Sequence, residues 1–233
     1  VAKKLKKKVK KSAAKSKKKT AAFRRPARSA KKPVRKTLVK KTSASKSRPP
    51  RLIVLSAPSG AGKSTICQRL VAEFPQIQLS ISTTTRPQRP AEMDGVHYHF
   101  VNQQTFEQKI AKNDFAEWAE VHGNRYGTAV ATIEDFLKQG KHVLFDIDVQ
   151  GAMNLRKRYG KRTLLVFILP PSMEELRSRL EGRKSDAPAV IEKRMKNAYS
   201  EVGWSKQFDH QITNDNLERA YAELVQILRK ECL

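Results

Sequence analysis

The sequence predicts an α/β fold, with a central parallel sheet flanked by helices, a small mostly antiparallel insertion and a helical lid. Three observations lead there. Apolar runs of strand length at 52–55, 142–147 and 164–169, and a weaker one at 211–213, alternate with segments of helical pattern. Strands and helices in alternation call for parallel strands joined by crossover helices. The first run leads at once into a glycine-containing loop and then a helix, the arrangement in which such sheets hold phosphate groups. Residues 77–128 break the alternation, with shorter strands of alternating character between Pro- and Gly-rich turns.

In chain order, residues 1–51 hold 23 Lys and Arg and no Asp or Glu, while residues 52–233 hold 25 basic against all 22 acidic residues. The formal charge of +26 therefore belongs to a tail rather than to a globular surface. Lys-rich blocks at 6–8 and 17–19 alternate with Ala and Ser, and Pro26, Pro33, Pro49 and Pro50 interrupt any helix. Large apolar side chains are too few to offset the ordering entropy, so a disordered basic tail is expected over 1–50. Its composition is similar to that of linker-histone tails. It predicts weak, nonspecific association with RNA, DNA or other polyanions through counterion release. The roughly 180 residues that follow suit one globular domain.

Other function classes are disfavoured. The longest apolar run, 164–169, falls far short of the ~20 residues of a membrane span. No apolar segment near residue 1 suggests a secretory signal, and Lys in place of Arg argues against an organellar transit peptide. The two cysteines, Cys67 and Cys232, share no motif spacing, which fits a reducing compartment and a cytoplasmic location. The five histidines form no ligand-spaced cluster.

From 52 onward the expected elements are a strand at 52–55, a helix at 64–74, strands at 78–82 and 97–101, and a helix at 103–112 N-capped by Asn102. A strand at 115–121, helices at 130–139 and 149–159, and strands at 142–147 and 164–169 follow. Helices at 173–180, 190–202 and 217–230 complete the fold, with the strand at 211–213 ahead of the last. The polar, turn-rich stretch 181–189 between two helices reads as a mobile lid, within a lid region over 181–202. The core is expected at 51–76, 129–180 and 203–230, and the insertion at 77–128 beside the phosphate loop.

The chemistry begins at Ala57, Pro58, Ser59, Gly60, Ala61, Gly62, Lys63, Ser64 and Thr65. Glycines let backbone N–H groups turn toward phosphates, Lys63 reaches the β- and γ-phosphates, and the Ser64 hydroxyl suits Mg2+. Ala57 stands where the strict pattern has glycine. Phosphoryl transfer then needs alignment, Mg2+ and convergent positive charge. Arg86 and Arg89, three apart in a proline-braced loop with Ser82 and three threonines just upstream, have the donor geometry for a phosphomonoester, although a solvated basic loop has the same composition. Asp146 and Asp148 point to one side of a strand end near the phosphate loop.

The phosphate loop is followed by Thr-Thr-Thr-Arg-Pro-Gln-Arg-Pro at 83–90, Asp-Gly-Val-His-Tyr-His-Phe-Val at 94–101 and Phe-Ala-Glu-Trp-Ala-Glu at 115–120. Gly-Asn-Arg-Tyr-Gly-Thr at 123–128, Asp-Ile-Asp-Val-Gln-Gly at 146–151, Ile-Leu-Pro-Pro-Ser at 168–172 and Leu-Glu-Gly-Arg at 180–183 continue the series. In order and spacing this resembles the guanylate kinases over essentially all of 51–230. The resemblance implies the P-loop nucleoside monophosphate kinase fold and Mg2+-dependent transfer of the ATP γ-phosphoryl group to GMP, giving ADP and GDP, with dGMP as a further acceptor. It implies that residues 57–65 hold ATP. Ser82, Arg86, Arg89, Tyr98, Glu117, Tyr126, Thr128 and Asp148 are implied for GMP, and Ser64 and Asp146 for the metal. Lys63, Arg86, Arg183 and Arg194 form the implied catalytic set, the last two as lid arginines. A carboxylate at 117 suits guanine, which presents N1–H and the N2 amino group side by side; adenine would leave it unpaired.

The sequence departs from the family at Arg125, where an aromatic residue is usual, and in the lid, where Lys184 replaces a second glycine and Ala187, Pro188 and Ala189 replace an acidic stretch. Two alternatives share the scaffold: a sugar-phosphate kinase, and a guanylate kinase-like module that binds partners without catalysis. Lys63, Ser64, Arg86 and Arg89 favour catalysis, and Glu117 with Ser82 favours guanine.

Overall fold

A computed structural model describes residues 48–121, 123–182 and 187–233, all within the unit Ser45–Leu233. The tail, apart from its last three residues, lies outside the described residues, as do His122, Arg183 and Lys184.

Strand β1 (Leu52–Ser56) is buried along its whole length. Leu52 and Val54 join one hydrophobic cluster, Ile53 and Leu55 another. A continuous apolar run rather than an alternating one is what a strand covered on both faces requires. After β1 come α1 (Lys63–Glu73), β2 (Ile77–Leu79), β3 (Thr83–Thr84), β4 (His99–Phe100), α2 (Gln103–Ala111), β5 (Phe115–Val121) and β6 (Asn124–Ala129). Then follow α3 (Val130–Lys138), β7 (His142–Asp146), α4 (Val149–Tyr159), β8 (Thr163–Leu169), α5 (Met173–Glu181), α6 (Pro188–Gly203), β9 (His210–Thr213) and α7 (Leu217–Glu231).

The central sheet has the order β2-β7-β1-β8-β9 with every neighbouring pair parallel. Ile66 and Leu70 of α1 and Leu224 and Leu228 of α7 seal one face; Ile133 and Leu137 of α3 and Ala152 and Leu155 of α4 seal the other. The second sheet, β4-β3-β6-β5, is antiparallel at β3–β6 and β5–β6 and parallel at β3–β4. Helices start where polar caps permit. Asn102 accepts from Thr105 N at 2.7 Å, Asp148 from Gly151 N at 2.9 Å, and Ser172 from Glu175 N at 3.1 Å. Pro188 opens α6 at a position where its missing N–H costs nothing.

The strand expected at 78–82 is divided. Ile77–Leu79 pairs with β7 in the central sheet, and Thr83–Thr84 belongs to the small one. Ile77 is fully buried in the α1-side cluster, which draws the first piece into the core. The strand expected at 97–101 contracts to two residues, because a turn closed by Gly95 N to Tyr98 O at 2.8 Å occupies the residues before it. β6 was not expected as a strand. It contains Gly127 and mostly polar neighbours, and packing explains the glycine: an added Cβ would stand 3.0 Å from the Phe115 ring.

Among the described residues, Arg48, inside the tail expected over 1–50, already contacts the last helix. Its guanidinium donates to the carbonyls of Arg229 and Lys230, and Arg51 donates to Glu231 O at 3.2 Å and pairs with the Glu231 carboxylate at 3.0 Å. These arginines cap the C-terminal end of α7, where carbonyls lack helical partners.

Leu55 is fully buried in the middle of the central sheet. Leu55→Ala is expected to lower stability by about 2–5 kcal/mol, read as a fall in the urea midpoint with unchanged slope.

Candidate active site

The loop after β1 is shaped by two glycines in the left-handed region, Gly60 (φ 101°) and Gly62 (φ 92°). Gly62 is required twice over: an added Cβ would lie 2.4 Å from Nδ2 of Asn214, whose amide donates to Ala61 O at 2.7 Å. Among the described residues, Asn113 is the non-glycine with positive φ. Ala57 therefore sits in ordinary backbone, which is why alanine serves where the strict motif has glycine. Gly62 is the N-cap of α1 and no side chain caps the helix. The unsatisfied N–H groups and positive dipole end of α1 thus face the cleft.

Asp146, the last residue of β7, gathers the polar groups beside the loop. Lys63 Nζ lies 2.5 Å from its Oδ1 and also donates to Ile147 O at 3.0 Å; Ser64 Oγ donates to its Oδ2 at 3.0 Å. Burial alone would pull the Lys63 pKa down, but the charge and hydrogen bond of Asp146 more than offset it, so the ammonium is held above its ordinary value. Arg194, on α6, donates to Ser59 Oγ at 3.2 Å.

Across the cleft, β5 and β6 place Glu117 opposite Thr128, with a register shift between Phe115 and Glu117. From this bulge onward the strand alternates, with Glu117 and Ala119 buried and Trp118 and Glu120 exposed. Thr128 Oγ donates to Glu117 Oε1 at 2.7 Å, and both residues are buried. Burial pushes the Glu117 carboxyl up to about 7; the Thr128 bond opposes this and the Asp148 charge adds to it. Gly151, in the first turn of α4, permits the approach, since a Cβ there would stand 2.7 Å from Glu117 Oε2 and 3.2 Å from Asp148 Oδ1. Ser82 is buried, and Tyr98 and Tyr126 meet edge to face at 5.9 Å between centroids.

The two halves face one cleft of about 350 Å³. Its walls come from residues 57–60 and 62–65 and from Ser82, Tyr98, Glu117, Tyr126, Asp146 and Asp148. Ala61 is buried beneath the loop, and Thr128 stands behind Glu117. Neither Arg86 nor Arg89 lines this cleft: the Arg86 guanidinium carbon lies 5.4 Å from the ring centroid of Tyr98, which does, and Arg89 is exposed. Arg125 serves the scaffold: its N–H bonds Thr85 Oγ1 at 2.9 Å and its side chain pairs with Glu107 at 3.1 Å.

Sequence reasoning missed three residues here. Glu201 of α6 lines the cleft, and burial pushes its carboxyl up to about 7, against the Lys63 charge and with that of Asp148. Seven residues separate it from Arg194, which puts both on one helix face; that spacing was the available signal. Gly151 stands in the 146–151 segment, but its role depends on Glu117, distant in sequence; Glu92, whose carboxylate accepts from Arg86 Nη2 at 2.7 Å, depends on a turn not foreseen. Among the described residues no three His, Cys, Asp or Glu gather as a metal cage, and no helix is long and apolar enough to cross a membrane.

Comparison with known proteins places these features in a family. The pattern of the guanylate kinase family matches residues 49–231. A guanylate kinase of Zymomonas mobilis is 49% identical over 180 residues, covering 77% of this chain and 83% of that protein. One from Sphingopyxis alaskensis is 50% identical over 182 residues, 78% of this chain and 83% of that protein. A crystal structure of guanylate kinase from Anaplasma phagocytophilum superposes with a TM-score of 0.66 at 33% identity, covering 79% of this chain and 87% of that one. With a match that spans the parallel sheet, the phosphate loop and the insertion carrying Glu117, the chain belongs to the guanylate kinase family.

Proposed function

We propose that the chain catalyses transfer of the ATP γ-phosphoryl group to GMP, and to dGMP, giving ADP and the nucleoside diphosphate, as a step of purine nucleotide metabolism. The observation that carries the reading is the buried Glu117–Thr128 pair facing a phosphate loop across a single cleft. Ionised Glu117 accepts from guanine N1–H and the N2 amino group. The Thr128 proton is committed to Glu117, so the Ser82 hydroxyl is the donor for O6. Asp148 adds an acceptor beside them. Arg86, Arg89, Tyr98 and Tyr126 hold the monophosphate.

The donor half uses residues 57–65 for the ATP phosphates, with the N–H groups of α1 and Lys63 as the chief donors. Asp146 pairs with the Lys63 ammonium and accepts from the Ser64 hydroxyl beside this loop. The Asp146 carboxylate and the Ser64 hydroxyl, within hydrogen-bonding distance of each other, are the oxygen ligands that would hold Mg2+, which would supply positive charge for phosphoryl transfer. Arg194 and Arg183 add positive charge from the lid region 181–202, whose closure excludes water and suppresses ATP hydrolysis.

A coupled assay of ADP formation with GMP, AMP and sugar phosphates tests the reading. GMP is expected to be the preferred acceptor, and Glu117→Gln to raise KM for GMP by about 10–100-fold with little change for ATP. Turnover of a sugar phosphate but not GMP, or no turnover at all, sinks it.

The raised pKa of Glu117 sets a pH dependence. Guanine binding requires the carboxylate, so kcat/KM for GMP should climb as pH rises through about 7, and the climb should flatten in Glu117→Gln. Stability runs the other way. The folded state binds this proton more tightly than the unfolded chain, so that contribution is full below the unfolded pKa and lost as pH rises through about 7. The Tm is expected to fall between pH 6 and pH 8.5, and to fall less in Glu117→Gln.

Residues 1–47 we assign to weak, nonspecific polyanion binding, on the charge of the sequence alone. Deleting them should leave kcat near the full-length value while abolishing salt-sensitive RNA retention. The deletion ends at 47 because Arg48 contacts α7. Equal RNA binding by both chains would remove the idea.

A further inference from the structure

We propose that Glu92 is a positioning residue for the acceptor phosphate: its carboxylate ties the Arg86 guanidinium to the Arg89 backbone, so that the two arginines present themselves to one phosphate from fixed directions. The proposal rests on the reading of residues 82–128 as the GMP site.

The two arginines sit three apart in a loop without helix or strand. Like charges repel, and both side chains are long and rotamer-rich, so convergence on one anion needs a device to hold them. Glu92 supplies it with both oxygens. Oε1 accepts from Arg86 Nη2 at 2.7 Å and Oε2 accepts from Arg89 N at 2.9 Å. The Glu92 backbone is fixed as well: its N–H donates to Arg89 O at 3.0 Å and its carbonyl accepts from Gln88 Nε2 at 2.5 Å. Arg86 Nη1 is engaged by Pro87 O at 2.8 Å, and the guanidinium fork keeps further donors for a phosphate.

The pair is largely withdrawn from water, with side-chain exposures of 13% for Arg86 and 14% for Glu92. The Arg86 guanidinium also lies over the rings of Tyr98 and Phe100, at 5.4 and 5.7 Å from their centroids. One cation is thereby held between a carboxylate and an aromatic edge of the cleft. The hydrogen bond from Arg86 holds the Glu92 carboxyl below the usual carboxylate range, so it carries its charge throughout neutral pH.

A carboxylate on a phosphate-binding arginine could instead be a stand-in that the substrate must displace. The geometry argues against this. The second oxygen and both backbone groups of Glu92 are bound within its own turn, so the side chain cannot withdraw without opening the loop that carries Arg86 and Arg89.

The two roles predict opposite signs. Steady-state kinetics on full-length wild type, Glu92→Gln, Glu92→Asp, Arg86→Gln and the Glu92→Gln/Arg86→Gln double variant separate them, with Tm measured alongside. Glu92→Gln keeps the volume and removes the charge. It should raise KM for GMP by about 10–100-fold while KM for ATP stays within about twofold. Glu92→Asp should recover part of the loss. In the Arg86→Gln background the Glu92→Gln effect should shrink sharply, because a residue acting through Arg86 has nothing left to position. An unchanged or lowered KM for GMP, an equal rise for both substrates, or full additivity in the double variant overturns the proposal. Wild type that forms ADP with GMP while Glu92→Gln leaves KM unmoved sinks this proposal alone. Wild type that forms no ADP with GMP sinks the acceptor-site reading and this proposal with it.

Discussion

The parallel pairing of β1 with β7 is the constraint on which the site depends. Its register sets Leu55 opposite Asp146, so the end of one strand and the phosphate loop that follows the other open at the same edge of the sheet. Parallel strands end together, and their carboxyl ends are where ligands meet open sheets. Lys63, the first residue of α1, therefore meets Asp146 across the strand junction, and Ser64 meets the same carboxylate. Hydrophobic burial makes this register stiff. Both faces of β1 are sealed, and slipping by one residue would exchange the side chains packed in the two clusters.

The acceptor side works against the preference that builds the core. A carboxylate is removed from water at Glu117, at a cost visible in its raised pKa. A bulge, a threonine hydroxyl and a missing side chain at Gly151 each contribute to holding it there. Their combined effect is a pre-oriented acceptor with no flexible arm, suited to reading the edge of a base. Glu201 repeats the theme from α6, where a second carboxyl is pushed toward neutrality near Lys63 and Asp148. Four acidic residues, Glu117, Asp146, Asp148 and Glu201, thus share the cleft with the Lys63 ammonium, which pairs directly with Asp146.

Arg86 and Arg89 are held differently. They lie on a loop, and order comes from local bonds to Glu92 rather than from packing in the core. Arg194, reaching Ser59 from α6, brings a third source of positive charge to the donor side.

Much of this was legible in the sequence. The apolar runs at 52–55, 142–147 and 164–169 located three central strands because a doubly covered strand must be apolar throughout. The phosphate loop and the capping residue Asn102 were legible because glycine conformations and caps are local chemistry. Tertiary structure alone decided the rest. β2 joined the central sheet because Ile77 had a core to fill, and β6 formed despite Gly127 because the Phe115 ring occupies the glycine's empty space. Glu117 became buried because Thr128 and Gly151, from other elements, close around it. The contacts of Glu92 with Arg86 and of Gly151 with Glu117 form only once the chain has folded. Backbone preference, capping and burial period act over a few neighbouring residues and can be read along the chain, whereas the orientation of a buried charge depends on partners that only folding brings together.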